Sequence, residues 1–306
     1  MKNSLATIHP FSKFIFSLFI ILASFLIVFI IGIAIGIPLF NLSFAEFPSV
    51  ITNYSDPNNL KFLKYLQTIQ AIGLFIIPAF IIGYFFHQKT LHYLKFNPIG
   101  FYAVVLVIFI MISALPAINF FAMLNSKMQL PAFLNELENW MRQKESSAQA
   151  LTEAFLKMDS LGSLWFNIFM IGILPAIGEE LIFRGVIQRL FAEWTKNIHW
   201  GIFIAAFLFS FMHIQFYGFI PRMILGILFG YLFYVSGSIW IPILAHFINN
   251  AMAVVFYYFY ADQVSEDIDT LGASEGSYGY LFVSVIFLSL FFYSFYLHYQ
   301  KRRVTS

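Results

Sequence analysis

Residues 14–40 read FIFSLFIILASFLIVFIIGIAIGIPLF, 27 positions without one charged side chain. At about 1.5 Å of helical rise per residue, such a run exceeds the roughly 20 residues needed to cross the hydrocarbon layer. It is also well beyond the roughly 7–15-residue apolar core of a secretory signal, so it reads as a retained span. The rest of the chain follows suit. Of 306 residues, 60% are hydrophobic and 20% aromatic, 41 of them phenylalanine, and only 10% are charged. An ordinary soluble domain carries about 25% charged residues, and a chain this apolar cannot hide its side chains in an aqueous core. The bilayer is the solvent.

Working outward, apolar segments recur at residues 14–40, 65–86, 101–124, 164–184, 200–217, 221–235, 239–260 and 280–299. The expected fold is an all-α polytopic transmembrane helix bundle of about eight spans. Residues 125–160 interrupt the pattern with Glu136, Glu138, Arg142, Lys144, Glu145 and Glu153 among apolar neighbours, the mark of an amphipathic interfacial helix. Residues 261–279 are acidic and contain Gly and Ser, which predicts an exposed loop. The chain thus divides into an N-terminal membrane region at 1–163, a central core at 164–256 and a tail at 257–306.

Basic residues set the orientation. Lys2 and Lys13, then Lys89 and Lys95, then Arg184, Arg189 and Lys196, then Lys301, Arg302 and Arg303 all fall on one side of an eight-span bundle. That side is expected to be cytoplasmic, with both termini, and the acidic loop lies opposite. The Phe-rich composition without an organelle signal favours a bacterial inner membrane. The absence of cysteine excludes disulfides, thiolate metal sites and a Cys nucleophile. A net charge of +2 without a basic aromatic stripe gives no nucleic-acid surface.

Two carboxylates stand where the bilayer penalises them. They are Glu179 and Glu180, in IGILPAIGEELIFR at residues 171–184. An ionisable residue at membrane depth costs several kcal/mol and faces a bundle interior or a wet cavity. Glu180 and Arg184 are four apart on one helix face, the spacing of an ion pair, which gives them a bracing role. Glu179 points about 100° away and has no partner on its own helix, which leaves it free for acid–base work.

Two histidines join them, His213 in FSFMH at 209–213 and His246 in HFINN at 246–250. His246 and Asn250 share a face by their spacing, whereas Asn249 lies on another and reads as a packing residue. Either histidine alone would be an ordinary helix-packing hydrogen bonder. Depth ties them together. Glu179 and His213 lie roughly 21–23 Å from the turn near residues 195–198, and His246 and Asn250 reach a similar level from the seventh span. A carboxylate, two histidines and an amide can activate water and stabilise an oxyanion. No His-Glu-x-x-His, Gly-x-Ser-x-Gly or phosphate-binding loop competes with them.

Glu-Glu-x-x-x-Arg at 179–184, Phe-x-x-x-His at 209–213 and His-x-x-x-Asn at 246–250, in that order on apolar helices, resemble the CPBP family of intramembrane proteases. That family includes CAAX prenyl endopeptidases of the Ras-converting type and the Abi and bacteriocin-immunity proteins. The resemblance covers residues 164–256 and implies hydrolysis of a peptide bond in or near the membrane, in a membrane protein or lipidated peptide. It further implies that Glu179 activates water with help from His213. His246 and Asn250 would hold the oxyanion, and Glu180 and Arg184 would support the site. Glu179, His213 and His246 could instead form a His₂Glu zinc site with one open position. The shared face of His246 and Asn250 fits an oxyanion hole better, so no cofactor is the preferred expectation. The rival reading is a non-enzymatic transporter or immunity scaffold using the cluster as a proton or ion site. It would favour inverted repeats with broken helices in both halves, and Pro175 and Pro242 both lie in the second half.

Overall fold

The computed structural model describes residues 4–50, 52–53, 56–260 and 278–305. Most of the acidic loop expected at 261–279 lies outside the described residues. The chain is an all-helical, multi-pass membrane bundle. Its principal helices are α1 (Pro10–Leu39), α2 (Pro57–Phe86), α3 (Phe101–Ser126), α4 (Asn135–Leu156), α5 (Leu161–Thr195), α6 (Ile198–Phe211), α7 (Phe219–Ser236), α8 (Trp240–Tyr260) and α9 (Tyr278–Thr305). Among the described residues, seven helices are long and apolar enough to cross a membrane; α4 is polar and α6 is short.

Helix starts follow local chemistry. Asp56 accepts from the backbone N–H groups of Asn58 and Asn59 ahead of Pro57, and Asn197 does the same for His199 and Trp200. Ser160 and Ser163 cap α5 reciprocally. The turn between α7 and α8 needs a left-handed residue, and Gly237 takes it at φ 63°.

Packing separates a lipid face from an interior. On α1, Phe19 and Ile30 are more than 60% exposed, which only a hydrocarbon surrounding makes favourable. Inside, Phe75 and Ile82 of α2, Leu181 and Phe183 of α5, Phe209 of α6 and Ile243 of α8 form one buried cluster. A second joins Val107 and Ile110 of α3, Phe229 of α7, Ala245 of α8 and Phe295 of α9. α5 and α8 therefore sit at the centre, and each has neighbours on several sides.

Two expectations need correction. The fifth span does not run from 200 to 217. Its helix ends at Phe211 after 14 residues, about 21 Å, short of the roughly 30 Å hydrocarbon layer. His213 thus lies in a turn beyond a helix end, not within a span. Beyond Arg184 the helix stays packed against α7, where Gln188 is fully buried and donates to the Gly230 carbonyl at 3.2 Å. Arg184, counted above among basic loop residues, is 1% exposed inside the bundle and contributes nothing to orientation.

Candidate active site

The two central helices bring the acidic pair and its partners together. α5 does not run as a regular α-helix, since π-helical turns span Ile168–Ile173 and Phe183–Ile187 on either side of the Glu179–Glu180 pair. Such widened turns shift the register of side chains and recur at functional sites. The two carboxylates part as their helical spacing predicts. Glu180 is fully buried, whereas the Glu179 side chain keeps 13% exposure and opens on a cavity.

Around Glu180 the interior is a closed knot. Its Oε1 accepts from Arg184 Nη1 at 2.8 Å and from His246 Nδ1 at 2.8 Å. Arg184 Nη2 donates to the Gly226 carbonyl of α7 at 2.9 Å, and its guanidinium lies 4.9 Å from the Phe209 ring and 5.4 Å from the Phe229 ring. Phe229 stacks on His246 with ring centroids 5.3 Å apart, and Phe209 meets both histidines edge to face. The bracing pair thus does more than join two turns of one helix. It fixes the imidazole of α8, because a bond from Nδ1 to a carboxylate turns Nε2 outward. That Nε2 stands 3.9 Å from Glu179 Oε2, too far for a hydrogen bond but within reach of its charge.

The other side of Glu179 is open. A cavity of about 620 Å³ is lined by Glu179, His213, Arg222, His246, Asn249 and Asn250, with α4 supplying a wall through Leu151 and Phe155. His213 Nδ1 donates to the Phe209 carbonyl at 2.8 Å, which leaves Nε2 of the neutral ring as an acceptor. Asn250 Nδ2 donates to the Ile171 carbonyl at 3.0 Å, and Asn250 Oδ1 accepts from Asn249 Nδ2 at 3.2 Å. The four residues expected to do chemistry therefore line one chamber. Asn249, read from sequence as packing, lines it too.

A turn of backbone at this depth is tolerated only where protein or a wet cavity satisfies it. Here neighbours do so. Asn125 of α3 accepts from the Ile220 N–H at 2.7 Å and donates to the Phe216 carbonyl at 3.0 Å. Glu145 of α4 accepts from the Tyr217 N–H at 3.1 Å, and Ser210 donates to the Phe219 carbonyl at 2.6 Å. Next to His213, Ile214 holds φ at 52°, a left-handed conformation uncommon for a β-branched residue and sustained only by firm surroundings.

Among the described residues no three His, Asp or Glu side chains gather closely enough to hold a metal ion. The bond from His246 Nδ1 to Glu180 leaves Nε2 of that ring open toward the cavity.

Residues 161–252 match the family model described as type II CAAX prenyl endopeptidase Rce1-like. This segment is Rce1-like. It opens at the first residue of α5 and closes two residues beyond Asn250, so it holds every motif quoted above. No curated protein and no solved structure matches the chain. The Rce1-like segment makes up under a third of the molecule, and part of its chamber comes from outside it. Gln67 of α2, Ile118 of α3 and the wall of α4 all face the same space. Sequence reasoning also missed Arg222, whose signal was present: a guanidinium one residue into an apolar run, as anomalous as Glu179.

Proposed function

We propose that this protein is an intramembrane endopeptidase that cleaves a membrane protein or lipidated peptide. The observation that carries the reading is a single cavity, inside a membrane bundle, into which α5, α8 and the turn after α6 deliver Glu179, His246, Asn250 and His213. In this reading a water molecule rests between the Glu179 carboxylate and the free Nε2 of His213. Glu179 takes one proton as the water oxygen bonds to the scissile carbonyl carbon. The tetrahedral oxyanion is met by the Asn250 amide, which exchanges its bond to the Ile171 carbonyl, and by His246 Nε2. Donation from that nitrogen requires both ring nitrogens to be protonated, and the Glu180 carboxylate bonded to Nδ1 supplies the countercharge while Glu179 carries the water proton. The carbon–nitrogen bond then breaks as Glu179 returns its proton to the leaving nitrogen. One water is consumed, and a new carboxyl terminus and a new amine result.

Supporting this reading are the Rce1-like match and the division of labour between the glutamates, one packed and one open. Cytoplasmic termini and a bacterial inner membrane remain part of the proposal, from the charge pattern of the terminal and loop lysines and arginines. The test compares membrane proteomes of cells carrying wild type or Glu179→Ala, read for new peptide termini. Wild type should generate fragments that the variant lacks. Indistinguishable fragment profiles would sink the protease reading.

A further inference from the structure

We infer that a second cavity, between the starts of α2 and α5, binds the phosphate headgroup of an anionic phospholipid. It lies apart from the chamber of Glu179 and is a site whether or not that chamber cleaves peptides. Its volume is about 740 Å³. Phe40, Leu60, Tyr65 and Phe166 give it apolar walls, and Lys61, Lys64 and Lys157 set three cations against one acid, Asp159.

Lys64 is the anomaly. It stands seven residues into α2, about 10 Å along the helix from Pro57, and is only 9% exposed. An ionisable side chain buried in a membrane-spanning helix points to a function. An ammonium carries three N–H groups, and Lys64 Nζ donates one of them to Asn167 Oδ1 at 3.0 Å. Among the described residues no carboxylate comes within ion-pair distance of Lys61, Lys64 or Lys157. Asp159 Oδ1 accepts from the Ser163 hydroxyl at 3.3 Å, and Asp56 caps α2 through the Asn58 and Asn59 N–H groups. Lys13 shows the contrast: it is as little exposed as Lys64, but Glu193 neutralises it at 2.8 Å.

The ligand class follows from this mixture of surfaces. A small free anion would meet the three cations and make no use of the aromatic and aliphatic walls. A neutral acyl chain would fill the walls and leave the ammonium groups without a countercharge. A glycerophospholipid of net negative charge satisfies both, and long lysine stems reach from hydrocarbon depth to the headgroup level. Lysines, point charges without the planar fork of arginine, suit the spread charge of a phosphodiester better than a carboxylate.

The site also has a route to the chamber. Asn167 is fully buried, accepts from Lys64, and donates through Nδ2 to the Phe155 carbonyl at 2.7 Å. Phe155 lines the chamber with Glu179. A headgroup held on Lys64 therefore steadies the end of α4 that walls the chamber.

The test measures lipid retention by the full-length protein in detergent, read by native mass spectrometry. The probes are phosphatidylglycerol and phosphatidylcholine with identical acyl chains, with inorganic phosphate as the tail-free anion. Phosphatidylglycerol should bind about tenfold more tightly than phosphatidylcholine or better, and Lys64→Gln should erase that preference. Because Lys64→Gln also loosens Asn167, the exposed rim decides the matter. Lys61→Gln and Lys157→Gln should each lower phosphatidylglycerol affinity about fivefold, and Asp159→Asn should raise it. Lys89→Gln combined with Lys144→Gln, exposed positions outside the cavity, should leave it unchanged. A loss in that pair as large as in the rim variants reduces the binding to general surface charge and overturns the site. Equal affinity for the two lipids does the same. Displacement of the lipid by excess inorganic phosphate would hand the cavity to a free anion and overturn the phospholipid. Amide exchange at Phe155 and Lys157 should slow with phosphatidylglycerol alone; slowing with both lipids alike would overturn the link to the chamber.

Discussion

The two sides of α5 carry similar chemistry and do opposite things with it. On the packed side, Glu180, Arg184 and the Nδ1 edge of His246 close on one another with almost no exposure. On the open side, Glu179 meets a cavity shared with His213, Arg222, Asn249 and Asn250, where donors and acceptors are left over. Neighbouring glutamates thus differ because a 100° step around one helix separates a packed environment from an open one. Packing gives rigidity, and the open side supplies capacity to bind. Removing a partner from the first should unfold the bundle, and removing one from the second should stop only chemistry or recognition.

The largest effect is expected on the packed side. Arg184→Met strips Glu180 of its cation and leaves the Gly226 carbonyl without its side-chain donor. Breaking one half of a buried pair costs about 3–5 kcal/mol, so the variant should lose much of its thermal stability in detergent. Replacing Glu180 and Arg184 together by apolar residues of similar volume should be milder than Arg184→Met alone. Equal damage from the double and single replacements would mean that packing, not charge pairing, holds this side together.

Next comes the open side. Asn250→Ala should lower turnover about 10²–10³-fold, the usual worth of an oxyanion donor, while the melting temperature moves little. The bond from Asn250 to the Ile171 carbonyl supplies the internal check. If that contact is the residue's whole purpose, the variant will melt early and keep its turnover per folded molecule. Asn249→Ala should fall between, since Asn249 holds the Asn250 carbonyl oxygen.

This contrast was partly legible in the sequence. Composition and run length suffice for a helical membrane bundle, because nothing but a closed hydrogen-bonded backbone survives in hydrocarbon. Helical spacing separates Glu179 from Glu180, and it pairs Glu180 with Arg184 as the structure does. What spacing cannot supply is contact between distant segments. The bond from Glu180 to His246 spans 66 positions, and the Asn125 bonds that satisfy the turn after His213 span more than 90. The early end of α6 was hidden for a related reason. Residues 212–217 are apolar enough to continue a span, and only packing against α3 and α4 makes a turn there affordable. Asn249 was misplaced because a 100° step away from Asn250 still faces a cavity as broad as this one.

The smallest effect concerns the wall that closes the open side. Glu138 of α4 accepts from the Leu130 N–H at 2.8 Å and from Arg142 Nη2 at 2.7 Å, and Tyr217 reaches it at 3.5 Å. The Leu130 backbone donor and the Arg142 side chain hold the Glu138 carboxyl below its ordinary range. A depressed folded value means that the contribution is complete above the unfolded carboxylate range and fades as pH falls through the lowered value. Its partner Arg142 is exposed at the surface, so the gain is modest and salt weakens it further. Acidification should therefore loosen α4 against the turn before it disturbs the knot around Glu180. Hydrogen exchange at the Tyr217 and Ile220 amides, followed as pH is lowered and corrected for intrinsic rates, should rise earlier than exchange in the middle of α5. Glu138→Gln should show that raised exchange already at neutral pH, with little further change on acidification. Should exchange rise equally in both regions, the wall and the knot unfold as one unit, and the two sides of α5 differ in chemistry but not in stability.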